Sequence, residues 1–183
     1  MKRLQALTYL ASLTVVALLV LPANSFAAKP KVKMPNPDFT KGEPIPPDAN
    51  HDWNLGATGT RGWMYCGNFA TTEARQIKIT KVAKGSPADG ILAVGDVILG
   101  VGGKPFSYDT RTEFGKALTV AESEAGGGKL LVTRWRAGRK EEVALKLPVL
   151  GTYSATAPFD CPKSKLIYEQ GCALLAKRVA APG

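Results

Sequence analysis

Alternating apolar and polar residues predict several short strands in the middle of the chain. In "QIKITKV", Ile77 and Ile79 alternate with polar residues, which is the pattern of a strand with one buried face. "VILGV" is an apolar strand that opens after Asp96. The pair Gly102-Gly103 then predicts a chain reversal, because glycine adopts the positive φ that tight turns need. The chain is expected to return through "KPF".

Two further strands are predicted around the turn "RAGR". The second, "EEVALKL", presents Val143, Leu145 and Leu147 on the same side. The first, "KLLVTRW", fits two registers. One register buries Leu130 and Val132, and the other buries Leu131, Thr133 and Trp135.

Helical periodicity appears between the strands. Phe114, Ala117, Leu118 and Ala121 follow the spacing i, i+3, i+4 and i+7, which predicts an amphipathic helix that starts near Asp109. A shorter helix is expected to begin at "GSPA", where serine can cap and proline occupies the first turn. Short strands with two helices indicate an α+β fold, a partly open antiparallel β-barrel or sandwich capped by two helices, over residues 52–148.

The C-terminal residues lack the alternating pattern of the strands. Residues 149–183 are expected to form a connector and an amphipathic helix, with Leu166, Cys172, Leu175 and Val179 near one stripe. One amphipathic helix needs an apolar surface to cover. It either docks on the small barrel or opens a further helical domain.

The N-terminal segment predicts export. Lys2 and Arg3 precede an apolar run that ends at Leu21, and the small residues that follow fit a cleavage site. Residues 1–27 are therefore expected to be a signal peptide, and the protein to be periplasmic or extracellular. The alternative is a membrane anchor formed by residues 4–21. Residues 28–51 contain six prolines and few apolar residues, which predicts a disordered linker.

Charge and composition exclude several classes of protein. The net charge is +9, but the basic residues are spread along the chain and form no basic helix face with interleaved aromatics. We therefore expect no nucleic-acid partner. A single histidine and no C-x-x-C motif indicate no metal site, and no cofactor motif is present. There is no Gly-x-Ser-x-Gly motif, and no catalytic residues are expected.

The three cysteines are Cys66, Cys161 and Cys172. An odd number leaves at least one thiol unpaired within the chain. Cys161 and Cys172 are close in sequence and could form a disulfide if the intervening segment turns back.

The stretch "GSPADGILAVGDVILGVGGKPF" resembles the core signature of a bacterial-type PDZ domain, and "RAGRKEEVALKL" resembles the last hairpin of such domains. "LGATGTRGWMYCG" and "VLGTYSATAPFDCPKSK" further resemble a family of exported bacterial proteins of unknown function, in which a PDZ module precedes a helical domain. The resemblance implies a PDZ-like fold and a non-catalytic module that binds protein C-termini or extended peptides by strand addition.

The resemblance also implies a binding site. A glycine-containing loop would hold the peptide carboxylate, the strand after it would pair with the peptide, and the long helix would form the other wall of the groove. The implied residues are Leu55, Gly56, Ala57, Thr58, Gly59, Arg61, Gly62, Trp63, Met64, Tyr65, Thr110, Phe114 and Ala117.

A second hypothesis is a structural docking domain with no free ligand. In that case the groove would be filled by the connector, residues 148–162, or by a helical domain of the same or another chain. An open groove lined by the amides of residues 56–62 would favour peptide binding instead.

Overall fold

The computed structural model describes residues 35–49, 51–68 and 70–180. The predicted signal peptide, the alternative anchor at residues 4–21 and the first part of the proline-rich segment lie outside the described residues.

Across the described residues the chain builds one antiparallel sheet of seven strands. The strands are β1 (Trp53–Asn54), β2 (Thr60–Trp63), β3 (Ile77–Val82), β4 (Val97–Val101), β5 (Lys104–Pro105), β6 (Lys129–Arg136) and β7 (Arg139–Lys146). The spatial order is β1-β2-β3-β4-β6-β7, and β5 pairs with β4. The antiparallel α+β architecture expected from the sequence is confirmed.

The inward faces of the strands form the core. Ile77 and Ile79 are buried, as the alternation of β3 predicts. In β6 the structure selects one of the two possible registers, because Leu130 and Val132 are buried while Leu131 is partly exposed. Leu145 of β7 completes the same layer.

The long helix α1 (Thr110–Ala121) forms where its periodicity predicts. The Asp109 carboxylate accepts a hydrogen bond from the Thr112 amide and so satisfies one of the unpaired donors at the helix start. Phe114 and Ala121 are buried, and the helix contacts β4 and β6.

The short helix expected at "GSPA" is not formed. Residues 84–91 make a series of turns instead, with hydrogen bonds from Ser86 N–H to Ala83 C=O and from Asp89 N–H to Ser86 C=O. The segment is too short to extend these turns into a regular helix, because Gly90 has φ +75° and Gly95 has φ +94°.

Residues 36–49, which lie within the predicted linker and which we call the N-terminal strap, contact the core of the domain. Phe39 is buried, and its ring meets the Trp63 ring edge-on at 5.6 Å between centroids. The Phe39 amide donates to the side chain of Gln76, and the Asn36 side chain donates to the Glu73 carbonyl. A few well-placed apolar residues, with Ile45 also on the core, therefore order a segment whose average composition predicts disorder.

The connector after β7 is tied to the C-terminal end of α1. The amides of Leu150 and Gly151 both donate to the Glu122 carbonyl. Lys163 is 1% exposed, and its Nζ lies 2.6 Å from a Glu122 carboxylate oxygen and 4.6 Å from the centroid of the Tyr153 ring. These contacts anchor the chain end to the domain.

The C-terminal helix α2 (Pro162–Ala180) is held only through its first turn. Residues 167–180 are all exposed, and Val179 is 86% exposed. The predicted apolar stripe thus forms on a helix, but it does not pack on the sheet.

The disulfide between Cys161 and Cys172 is not formed, and all three cysteines are free. The pairing required a chain reversal between them. The segment is helical instead, so its rise of 1.5 Å per residue separates the two residues by about 16 Å, far beyond the span of a disulfide.

Candidate functional site

The predicted carboxylate loop connects β1 to β2. Gly56–Thr58 form a single 3-10 turn, and Gly56 and Gly59 adopt positive φ values of +64° and +73°. A methyl group at Gly59 would collide with the side chain of Ser86, so this glycine also allows a close contact between two loops. Both predicted glycines are needed for the shape of the turn.

Several amides of the loop are already engaged. The Gly56 amide donates to the Asn54 side chain, the Leu55 amide to the Thr60 carbonyl, and the Gly59 amide to the Gly56 carbonyl. The Thr60 amide lies 3.2 Å from the Thr58 hydroxyl. The loop is therefore rigid and is not a set of amides that all point outward.

The edge of β2 that faces away from β3 is occupied by β1. The pairing is antiparallel, with Trp53 opposite Gly62 and Asn54 opposite Arg61. The chain thus lays a two-residue strand of its own on the edge that the resemblance assigns to a ligand. The connector at residues 148–162, the predicted occupant, contacts the end of α1 instead.

The other wall of the groove is α1. The Arg111 guanidinium at its first turn lies 5.0 Å from the centroid of the Trp53 ring, which is the geometry of a cation–π contact. A methyl group at Gly56 would lie 3.1 Å from the side chain of Leu118, near the other end of the helix. β1 and the loop therefore run alongside α1 from its first turn to its last.

The structure divides the predicted site residues into two groups. Gly56, Ala57, Gly59, Arg61 and Gly62 lie in or beside the groove. The remaining ones belong to the interior: Leu55, Thr58, Trp63, Met64, Tyr65, Thr110 and Phe114 are at most 5% exposed, and Ala117 packs partly against the core. The Thr110 hydroxyl donates to the Ala74 carbonyl, so it serves the fold rather than the groove.

Three residues that the sequence did not point to contribute to the groove: Asp52, Trp53 and Arg111. The residues around Trp53 follow neither a helical nor a long alternating pattern. The contact between Trp53 and Arg111 joins parts of the chain that are distant in sequence. An acidic residue directly before an aromatic residue, ahead of a glycine-containing loop, is the only local signal that could have marked them.

Asp52 fastens β1 to the sheet. Its carboxylate lies 2.5 Å from the Arg61 Nε and accepts a hydrogen bond from the Thr80 hydroxyl of β3. The Arg61 guanidinium also donates to the Asp52 carbonyl, at 2.9 Å. Although burial acts to raise the pKa of the Asp52 carboxyl, the hydrogen bonds from Thr80 and Arg61 outweigh it and lower the pKa below its ordinary value of 3.8.

The attachment of β1 is expected to weaken in acid. A carboxyl group whose pKa is lowered by folding stabilises above its ordinary pKa of 3.8 and loses that contribution as the pH falls through the lower folded value. Protection of the Leu55 amide from hydrogen exchange, measured against pH, should therefore fall about three- to tenfold more in the wild type than in Asp52→Asn. Equal pH dependence in the two proteins would contradict this role of Asp52.

A second feature lies outside the groove, at the start of α2. Cys161 is 5% exposed and lines a cavity of about 720 Å³ together with Pro158, Lys165 and Tyr168. Hydrogen bonds from Ser164 and from the Ser154 amide lower the pKa of the Cys161 thiol to about 6.

Within the described ranges, no group of histidine, cysteine and acidic side chains is arranged to hold a metal ion. The helices in the same part of the chain are not long and apolar enough to cross a membrane.

Comparison with protein families identifies the central part of the chain. The model of the PDZ domain matches residues 57–124, from the loop before β2 to the residues just after α1. Residues 57–124 form a PDZ domain. PDZ domains are typically non-catalytic modules that bind proteins and peptides. The match covers less than half of the chain. A search of curated proteins found no match to this chain.

The sheet extends beyond the matched part of the PDZ domain on both sides. β1 precedes it, and β6 and β7 follow it, yet all three belong to the same sheet. The β6–β7 hairpin supplies Leu130, Val132 and Leu145 to the core. The strand that occupies the edge assigned to a ligand by the resemblance is thus a segment outside the family match.

Proposed function

We propose that this chain is a non-catalytic peptide-binding module of an exported bacterial protein, and that it binds an extended or C-terminal peptide segment between β2 and α1. The observation that supports this most directly is the position of β1. The edge of β2 accepts a strand beside α1, antiparallel to β2, and strand addition to such an edge is how PDZ domains take up peptides.

Carboxylate capture in this proposal relies on the loop before β2. Since the amides of Leu55, Gly56, Gly59 and Thr60 already have partners and Thr58 is fully buried in the 3-10 turn, the Ala57 amide is the one we assign to a terminal carboxylate. Arg61 lies at the same end of the groove, and its guanidinium becomes available to a ligand carboxylate when the Asp52 carboxylate that pairs with it is displaced.

The test is an amide NMR titration of the full chain with a pool of peptides that have free C-termini. We expect shifts at residues 56–62 and 111–118, and we expect most of them to disappear when the same pool is amidated at its C-termini. A folded protein whose spectrum is unchanged by either pool would overturn peptide binding. Shifts that survive amidation would retain peptide binding and remove the carboxylate from it.

The second candidate function is a docking domain with no free ligand. The specific observation in its favour is that β1 occupies the ligand edge and that Asp52 fastens it there. In this case neither peptide pool would cause shifts, even in Asp52→Asn. Any bound peptide in that variant would argue against a purely structural role.

A further inference from the structure

We infer that the groove between β2 and α1 selects extended peptides in which an acidic residue directly precedes an aromatic residue, and that such a peptide binds by taking the place of the chain's own Asp52 and Trp53. This inference rests on the proposed function and specifies the class of ligand.

The acidic position is defined by the donors that hold Asp52. Arg61 offers its Nε to the carboxylate and a second nitrogen to the backbone carbonyl of the same residue, while Thr80 offers its hydroxyl. Once β1 leaves the edge, these donors face solvent without a carboxylate. An incoming aspartate or glutamate restores charge-assisted hydrogen bonds there, which a neutral residue does not.

The aromatic position is defined by Arg111. Its guanidinium lies over the Trp53 ring, and a cation in this position attracts an aromatic ring more strongly than an aliphatic side chain. The residue opposite Trp53 in the pairing is Gly62, where an added Cβ would meet the Ile77 side chain at 2.5 Å, so the selectivity for a ring comes from α1.

The spacing of the two positions follows from strand geometry. Successive side chains of a strand point to opposite faces of the sheet. Asp52 contacts the face that carries the Arg61 and Thr80 side chains, whereas Trp53 contacts α1. A peptide strand meets both requirements only if its acidic and aromatic residues are adjacent.

The brevity of β1 makes the exchange possible. It pairs with Arg61 and Gly62, and the Leu55 amide after it donates to the Thr60 carbonyl, so Trp63 is the β2 residue that lies beyond this pairing. A longer peptide strand can pair with more of that edge than β1 does. Its additional backbone hydrogen bonds offset those that are lost when β1 leaves.

The experiment measures fluorescence anisotropy of a labelled peptide with the sequence His-Asp-Trp-Asn-Leu, which reproduces residues 51–55, on the full chain. Replacing the peptide's aspartate by asparagine should weaken binding about tenfold, and replacing its tryptophan by alanine about threefold. A peptide with the two residues in reversed order should bind no better than the alanine peptide. The double variant Asp52→Asn, Trp53→Ala should bind the parent peptide at least about tenfold more tightly than the wild type, because its own strand competes less well.

Variants of the groove provide the complementary test. Arg61→Gln should remove the preference for aspartate over asparagine, and Arg111→Gln the preference for tryptophan over alanine. Lys116→Gln makes the same charge change at another exposed position of α1 and should leave both preferences intact. If the double variant does not fold, these single variants of exposed side chains decide the question alone.

The outcomes separate the inference from the function on which it rests. Equal affinity for peptides with and without the acidic–aromatic pair would overturn the selectivity and leave peptide binding standing. Failure of every peptide, including a pool with free C-termini, to bind a folded double variant would overturn both. A wild-type chain that sediments as a dimer, with a monomeric double variant, would show that a second copy supplies the strand, and would overturn binding of a separate peptide.

Discussion

Gly128→Ala is expected to destabilise the protein by about 3 kcal/mol or more. Gly128 has φ +77°, and a Cβ built there would lie 2.3 Å from the Leu147 carbonyl oxygen. In addition, the Gly128 carbonyl accepts a hydrogen bond from the Leu147 amide at 2.7 Å, so the two residues cannot move apart without losing this bond. The strain of a positive φ and the steric clash therefore add. Urea unfolding followed by intrinsic fluorescence measures the loss.

Gly127→Ala is the matched control for this variant. Gly127 also has a positive φ, +57°, but a methyl group there meets nothing within 4 Å. Gly127→Ala should therefore lower the free energy of unfolding only by the strain of a positive φ in alanine, about 1 kcal/mol. If both variants lose the same stability, the close contact between Gly128 and Leu147 does not limit the substitution.

Lys163→Met is expected to detach the connector and α2 while the sheet stays folded. The change leaves the Glu122 carboxylate, 14% exposed, without its cationic partner, and removal of one member of a buried ion pair costs about 3–5 kcal/mol. Since the Leu150 and Gly151 amides bond to the Glu122 carbonyl, their protection from hydrogen exchange should fall at least about a hundredfold. The amides of β3 and β4 should keep their protection from hydrogen exchange.

Lys165→Met provides the comparison two residues further along. The Lys165 side chain is 77% exposed, and its 3.8 Å ion pair with Glu169 lies on the surface. Exposed pairs contribute about 0–1 kcal/mol, so exchange at Leu150 and Gly151 should not change measurably. A second variant, Lys163→Met with Glu122→Gln, should regain part of the docking because no unpaired charge remains. Loss of docking in Lys165→Met would show that general helix stability, and not the buried pair, holds the connector.

The regular elements could be predicted because their signals are local. The stripe on α1 and the alternation of β3 each depend on residues a few positions apart, and burial of Phe114 and Ile77 agrees with them. The β6 register was ambiguous for the opposite reason. Both faces of β6 carry apolar residues, so only packing in three dimensions decides that Leu130 is buried.

The N-terminal part of the site could not be predicted because its order comes from distant partners. Phe39 is buried by Trp63 and receives the Lys78 ammonium over its ring, while Trp53 meets Arg111. Because the segment around Phe39 is rich in proline, its average composition predicts disorder even though it contains a few apolar residues that are buried. A two-residue strand has no periodicity to detect, so β1 emerged only from the pairing itself.

The attachment of β1 to the same chain determines how tightly any ligand can hold the groove. A tethered competitor is never diluted, so the apparent dissociation constant of a peptide equals its intrinsic value divided by the fraction of molecules in which β1 has left the edge. If that fraction is about one in a hundred, the apparent affinity drops about a hundredfold. In the proposed exchange, Asp52 and its contacts with Arg61 and Thr80 would thereby set a concentration threshold for the ligand, below which the groove stays unoccupied. A change in the strength of this attachment would change the threshold in proportion.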